Sequence, residues 1–312
     1  MKKTISIVIP FFNEEGNIDE LYKQLSQLFK EERNYDFEVI AVEHGSTDGT
    51  FAKLLKVRTK NTNFKILQLS RNFGNVDAAI SAGLNFVKGD AAVILMGDLQ
   101  EPPDLISKFL RKWEAGYEIV YGQVKKRADI SFIRQINSRL FYKILRLFTG
   151  RMFPENASDF RLVDKKVYKV INNMAERNKF LKGLTFWTGF KQIGIPYNRS
   201  KRFAGDSKAD FITVLIVAAN AIFSFSYIPL RLVTAVGFLL AIISFCVLIF
   251  EVSLFFIFGR EAQGVLTIVV MISFLFGMLF IILGVLGEYL VRIYDEVKQR
   301  PSYIIRQKIG IK

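Results

Sequence analysis

The chain has 312 residues, of which 51% are hydrophobic, and a formal net charge of +14 at pH 7. Its single cysteine, Cys246, excludes a disulfide framework, and its single histidine, His44, excludes a histidine-rich metal site. A chain that is both basic and apolar favours anionic partners, namely lipid head groups, phosphorylated ligands or nucleic acid.

Short apolar runs alternate with charged stretches of helical character before residue 210. The runs predicted to be strands are Ile5–Ile9, Phe37–Val42, Phe64–Leu69, Ala91–Met96 and Ile119–Gly122, and the predicted helices lie near 16–30, 48–58, 77–87 and 103–114. This alternation predicts βαβ units and a mostly parallel sheet.

The first predicted strand ends in the stretch VIPFFNEEGN, which has two interpretations. In one, a nucleoside packs on Pro10 and Phe12, and Glu14 accepts a hydrogen bond from a ribose hydroxyl. In the other, the same stretch is only the cap of the next helix. The residues alone favour neither interpretation.

The second predicted strand ends in VEHGSTDGT, a polar turn. Glu43 is placed where a carboxylate would receive hydrogen bonds from a base or a ribose. His44 follows it in the same turn. The usual interpretation of a lone loop histidine is that it is solvated.

The fourth predicted strand ends in ILMGDLQEPP, where an apolar run meets the carboxylate of Asp98 and two prolines follow. A plain strand-to-helix turn would use these residue types, since proline suits the first turn of a helix and aspartate suits a loop. A metal ligand is the alternative, because open α/β sheets bind ligands at the carboxyl ends of their strands.

Two long uncharged runs follow residue 210. Leu232–Phe250 carries no charge over 19 residues and Ala262–Gly287 carries none over 26. Each exceeds the about 18 apolar residues that indicate a membrane-spanning helix. Two spans would leave the basic segments 191–208 and 288–312, which hold five and six Lys or Arg, on the cytoplasmic side.

A third uncharged stretch, Phe211–Leu230, contains several polar residues. If it were also a span, three crossings would place the two basic segments on opposite sides of the membrane, against the positive-inside rule. We therefore expect this stretch to lie along the membrane surface. The predicted division is an α/β domain over 1–208, an amphipathic surface helix over 209–228, transmembrane helices over 229–258 and 263–287, and a basic cytoplasmic tail over 288–312.

These stretches occur in a recognisable order. The ordered motifs are SIVIPFFNEE, EHGSTDGT, LSRNFGN, AISAGL, GDLQEPPDLI, SDFRLVDKKV, FLKGLTFWTGF and YNRSKRFAGDSK. With the two apolar runs, the chain resembles the polyprenyl-phosphate glycosyltransferases of family 2, which include bactoprenol glucosyltransferases and dolichol-phosphate mannose synthases. The resemblance covers nearly the whole chain and implies a glycosyltransferase A-type (Rossmann-like) nucleotide-sugar domain.

The resemblance also implies a cofactor and a chemistry. Asp98, assisted by Gln100, would bind Mg²⁺ or Mn²⁺ bridging the two phosphates of the donor, which suits a hard cation that keeps several non-protein ligands. Asp159 matches the position treated as the base in bacterial relatives. Its alternative roles are an orienting group and a structural partner of Arg161.

The same resemblance assigns cations to the phosphates. Arg199, Arg202 and Lys208 would contact the donor diphosphate and the acceptor, since arginine grips phosphate in a fork and lysine supplies a point charge. A solvated basic run is the alternative for part of this segment. The residues that would face the acceptor after the fifth strand are Arg127, Arg134 and Ser138.

Two positions depart from the family pattern. Relatives commonly carry an acid two residues before Asp98, where this chain has Met96, and a second acid where it has His44. The first change puts the strength of metal binding in doubt, and the second puts the identity of the nucleotide in doubt.

The expected function is inverting transfer of a sugar from a nucleotide-diphosphate sugar, with a UDP-sugar favoured, to a polyprenyl phosphate, with undecaprenyl phosphate favoured. The expected place is the cytoplasmic face of the plasma membrane, with membrane lipids and a homo-oligomer as compatible partners and no nucleic acid. The alternatives are a degenerate membrane-tethered binding or scaffold subunit, and a processive polysaccharide synthase, whose QxxRW motif this chain lacks.

Overall fold

The computed structural model describes residues 2–127, 154–177, 179–200, 223, 225–258 and 265–311. The chain divides into two compact units. The first comprises residues 1–221 together with 300–312, and the second comprises residues 222–299.

The first unit is an α/β domain. In chain order its elements are β1 (Lys3–Phe11), α1 (Ile18–Glu31), β2 (Tyr35–Glu43), α2 (Thr50–Lys60), β3 (Phe64–Leu69), α3 (Val76–Leu84), β4 (Ala91–Ile94), α4 (Leu105–Glu114), β5 (Ile119–Arg127), β6 (Ala157–Asp164), α5 (Lys165–Asn173), α6 (Leu181–Trp187), β7 (Gln192–Arg199) and β8 (Ile305–Ile309). The five predicted strands and four predicted helices are all present, with bounds that differ by a few residues.

The eight described strands form one sheet in the order β7-β5-β6-β4-β1-β2-β3-β8. The βαβ prediction is confirmed for the first half, where β1 pairs in parallel with β2 and β4, and β2 pairs in parallel with β3. The sheet as a whole is mixed, because β6 runs antiparallel to β4 and β5, and β8 runs antiparallel to β3.

Both faces of the central strands are buried, as parallel strands covered by helices require. Because side chains alternate along a strand, Ile7 and Ile9 enter the core cluster that α1 and α4 cover, whereas Val8 enters the cluster that α3 and α5 cover. Helix α4 presents Leu105, Ile106, Phe109, Leu110 and Trp113 to the core at helical spacing.

The sequence did not predict strand β8. Residues 288–312 were expected to form a basic tail, but the helix that precedes them continues to Lys298 and the chain then returns to the sheet edge. Tyr303 Oη accepts from Asn85 Nδ2 at 2.6 Å, and Ser70 N donates to Ile304 O at 2.9 Å. A five-residue strand with three polar residues gives too weak a periodic signal to be found without its partner.

The second unit contains two long apolar helices, α7 (Ile228–Phe258) and α8 (Val265–Lys298). By length and composition, Ile228–Val247 and Met271–Lys298 are apolar enough to cross a membrane, and neither segment is buried inside the structure. The expected surface helix over 209–228 lies almost entirely outside the described residues.

Removal of residues 304–312 tests whether β8 is part of the folded α/β unit. Tyr303, Ile305 and Ile311 pack against the core, so loss of the last two and of the ladder to β3 should lower the free energy of unfolding by roughly 1–3 kcal/mol. Thermal unfolding of the full chain and of the truncated chain measures the loss. Arg306→Ala, at an exposed position of the same strand, is the control and should unfold like the wild type.

Candidate active site

The carboxyl ends of β1, β2 and β4 meet at one edge of the sheet. The parallel register pairs Phe11 with Glu43 and Val8 with Ile94, so the turns that follow these strands are neighbours. His44 N donates to Phe11 O at 2.9 Å and fastens two of these turns together. This edge is where ligands bind in open α/β sheets.

The turn after β4 holds Asp98 as a buried carboxylate, 7% exposed. A side chain at Gly97 would approach Phe11 Cδ1 to 2.9 Å, and Leu99 adopts a positive φ of 57°, so the turn lies tightly against the end of β1. Asp98 Oδ1 accepts from Gln100 N at 3.2 Å. The stretch is therefore a tight turn that also presents a carboxylate at the sheet edge. This geometry is compatible with both the plain strand-to-helix turn and the metal ligand.

The turn after β2 uses its two polar side chains internally. Glu43 is buried and accepts from Ser46 N, and His44 Nε2 accepts from Phe73 N at 2.9 Å. His44 is only 4% exposed, so the interpretation of a solvated loop histidine is wrong. Burial lowers the pKa of His44 and favours the neutral ring that can accept this hydrogen bond.

The turn after β1 combines a packed strand end with a helix start. Pro10 is buried in β1, and the half-buried ring of Phe12 lies edge-on to His44 with 6.4 Å between centroids. Glu14 accepts from Asn17 Nδ2, and its own N donates to Thr50 Oγ1 at 2.9 Å. These bonds hold the turn against the starts of α1 and α2, but no side chain among the described residues caps the first backbone N–H groups of α1, so the helix-cap interpretation is not confirmed. The predicted ribose contact stays a prediction.

Asp159 lies in β6 above a buried guanidinium. Arg161, 2% exposed, donates from Nη2 to Asp159 Oδ1 at 2.9 Å and from Nε to Asp159 O at 3.1 Å. The Asp159 side chain is 45% exposed. Desolvation acts to raise its pKa, but Lys182, Arg161 and Arg199 together outweigh that effect and lower it.

Arg199 ends β7, in register with Arg127 at the end of β5. Its Nε is buried and has no hydrogen-bond partner within the described ranges. Ser200 N donates to Gln100 O at 3.1 Å, which joins the end of β7 to the turn that carries Asp98.

The remaining predicted residues cannot be placed at this edge. Arg134, Ser138, Arg202 and Lys208 lie outside the described residues, and for Arg127 the description ends at the backbone.

The sequence reasoning missed Glu101, Asp77 and Lys182. Desolvation raises the pKa of Glu101 to about 7, and it raises that of Asp77 to about 7 as well. Glu101 could have been noticed as the second acid of GDLQEPP. Asp77 and Lys182 come close to Asp159 only through the fold, because Asp77 accepts from the backbone of Leu181 and Lys182 Nζ donates to Ala157 O in β6.

Residues 6–171 match the family described as Glycosyl transferase family 2. The chain belongs to glycosyl transferase family 2. This result confirms the family resemblance.

Relatives of this family 2 glycosyltransferase match it along nearly its whole length. An uncharacterized glycosyltransferase of Synechocystis sp. is 37% identical over 98% of this chain and 96% of its own. The bactoprenol glucosyl transferase of Shigella phage SfII is 36% identical over 97% of each chain. The match therefore includes the two apolar helices as well as the α/β unit.

A solved structure supports the glycosyltransferase A fold. Glucosyl-3-phosphoglycerate synthase from Mycobacterium tuberculosis, in complex with Mn²⁺, uridine diphosphate and phosphoglyceric acid, superposes with a TM-score of 0.51. The match covers 71% of this chain and 76% of that one at 17% identity, so it speaks for the fold alone.

The family 2 fold suggests a divalent cation, and the residues here fit a shared site. In the described part of the chain, no group of three or more His, Cys, Asp or Glu could enclose a metal by itself. Asp98 with the amide of Gln100 offers a short set of oxygen ligands. Such a set suits a cation that takes its other ligands from a diphosphate and water.

The pH dependence of stability tests the role of His44. Its folded-state pKa is lowered, so the unfolded chain binds the proton more readily, and His44 should cost stability as pH falls below its unfolded pKa of about 6.5. His44→Gln keeps an acceptor for Phe73 N without titrating. We expect the variant to lose less stability than the wild type between pH 7 and pH 5.5, as measured by denaturant unfolding.

His44 is the only histidine, and the other groups that titrate in this range are shared by both proteins. The difference between the two curves therefore isolates His44. Parallel curves would show that the ring is not held neutral by the fold.

Proposed function

We propose that this protein transfers a sugar, with inversion, from a nucleotide-diphosphate sugar to a polyprenyl phosphate at the cytoplasmic face of the plasma membrane. The observation that carries the proposal is the match to bactoprenol glucosyl transferases over 97% of the chain, including both apolar helices. The donor of choice is a UDP-sugar, and the acceptor of choice is undecaprenyl phosphate.

The donor would bind along the carboxyl edge of β1, β2 and β4. Phe12 offers a half-buried ring for the base, and Pro10, Glu14, Glu43 and His44 surround the same turns. Asp98 and Gln100 would hold Mg²⁺ or Mn²⁺, which would neutralise charge on the leaving nucleotide diphosphate. The close approach of β1 to Gly97 fixes Asp98 relative to the base-binding turns.

The acceptor would bind beside Asp159 and the end of β7. A phosphate monoester has its second pKa near about 6, so its nucleophilic oxygen is largely deprotonated at neutral pH. Asp159, kept ionised by its cationic neighbours, would orient the acceptor rather than remove a proton from it. Lys182, close to Asp159, adds positive charge that compensates the anions gathered there.

Cations would tether both phosphates. Arg199 is the one whose side chain the structure describes, and its partly buried guanidinium lies beside the Asp98 turn. The sequence adds further candidates to this group: Arg127, Arg134, Ser138, Arg202 and Lys208.

Direct assay of the proposed reaction uses the full-length protein in membranes with undecaprenyl phosphate and radiolabelled UDP-sugars. We expect label to move from the water-soluble donor into an organic-soluble lipid. Asp98→Asn keeps the size of the side chain but removes its charge, and one lost charge-assisted contact should reduce the initial rate roughly ten- to a hundredfold.

Met96→Asp supplies the acid that this chain lacks two residues before Asp98 and should lower the Mn²⁺ concentration needed for half-maximal rate. Donor binding without any transfer to lipid would instead favour the degenerate binding subunit. Wild-type rate and metal dependence in Asp98→Asn would show that the GDLQEPP turn is structural only.

The proposed topology has two spans and both chain ends in the cytoplasm. Strand β8 supports it, because residues 300–312 complete the sheet of the catalytic unit and so lie on the same side of a membrane as that unit. A chain that leaves this side and returns to it crosses an even number of times. The positive-inside rule gives the direction, since only Arg260 is basic between the apolar runs.

Cysteine labelling tests the topology in a Cys246→Ser background. Ala262→Cys, between the two spans, should react with a membrane-impermeant maleimide added to intact cells. Arg306→Cys, exposed in β8, should react only after the cells are opened. The opposite labelling pattern would end the two-span assignment.

A further inference from the structure

Glu101 is a buried carboxylate in the same turn as Asp98. Only 1% of it is exposed, and its Oε2 is fully buried without a hydrogen-bond partner among the residues that the structure describes. Leaving a buried carboxylate oxygen unpaired is costly. Its presence therefore calls for a partner that packing of the core does not supply.

Arg199 has the complementary property at the end of β7. Its Nε is buried and lacks a partner in the described part of the chain. Two contacts hold this end of β7 against the turn: Ser200 N donates to Gln100 O at 3.1 Å, and Tyr197 Oη donates to Glu101 Oε1 at 3.4 Å.

Side-chain alternation brings Arg199 to the same region. Tyr197 and Arg199 are two residues apart in β7, so both side chains leave the same face of the strand. Tyr197 already reaches Glu101 from that face. The Arg199 charge also acts on Glu101, where it opposes the rise that burial causes in the pKa.

In the structure these two side chains lie within electrostatic reach of each other without a hydrogen bond between them. We infer that Glu101 is a positioning residue that pairs with the Nε side of Arg199 when a diphosphate is bound, and so couples this guanidinium to the turn carrying Asp98. The assignment of Arg199 to a diphosphate rests on the proposed function. A guanidinium held at Nε keeps its two Nη groups available to grip phosphate oxygens in a fork. Asp98 and Arg199 would then meet the diphosphate as one rigid unit.

A double-mutant cycle tests this pairing. The probe is inorganic diphosphate with Mg²⁺, titrated calorimetrically into the full-length protein in detergent. Glu101→Gln and Arg199→Gln should each weaken binding about tenfold, the low end for a hydrogen bond to a charged group. The double variant should bind no more weakly than Arg199→Gln alone, because residues that act through one contact are not additive.

Two outcomes would overturn the inference. One is unchanged diphosphate affinity in Glu101→Gln, and the other is a double variant whose loss equals the product of the two single losses. If Glu101→Gln does not fold, the cycle is run with Glu101→Asp, which keeps the charge but shortens the side chain, and the same non-additivity is expected.

Glu118→Gln is the matched control. Glu118 is a carboxylate next to the sheet as well, where it accepts from Lys191 N at 3.2 Å, but it is only half-buried and lies immediately before β5, away from the Asp98 turn. Its substitution should leave diphosphate binding unchanged. The probe contains no sugar, nucleotide or lipid, so the two proposals can fail separately. Non-additive losses of diphosphate affinity in a protein that transfers no sugar to lipid would refute only the proposed function. Additive losses of diphosphate affinity in a protein that does transfer sugar would refute only the role of Glu101.

Discussion

The parallel pairing of β1 with β2 and with β4 is the constraint on which the candidate site depends. It directs three chain segments to end at one edge of the sheet, so residues about 30 to 90 positions apart in sequence become neighbours there. Because helices cover both faces of these strands, the edge is where their polar turns can reach solvent. The hydrogen bond from His44 N to Phe11 O and the tight approach of Gly97 to Phe11 then fix the turns relative to one another.

The antiparallel insertion of β6 between β4 and β5 adds the second half of the site. It brings Asp159 next to the Asp98 turn and buries Arg161 beneath it. Taking a guanidinium out of water is expensive unless its partner is close and well oriented. The Asp159 carboxylate provides that partner, and Lys182, Arg161 and Arg199 together lower its pKa.

Strand β8 gives the catalytic unit a structural link to the end of the second apolar helix. It covers the edge of β3, which would otherwise present unpaired backbone groups. The pairing also makes the last residues of the chain part of the folded sheet, so the two apolar helices are enclosed in sequence between two parts of one unit.

The sequence alone was enough to predict the βαβ order, the two apolar helices and the family, because short apolar runs between charged stretches, long uncharged runs and ordered short motifs are local properties of the chain. It also located Asp98 at the end of its strand and Asp159 in SDFR. The folded structure was needed to show that His44 is buried as a hydrogen-bond acceptor, that β8 joins β3, and that the charge of Arg199 acts on the buried Glu101. These features join residues about 30, 240 and 100 positions apart, and burial and long-range pairing depend on which segments the folded sheet brings together.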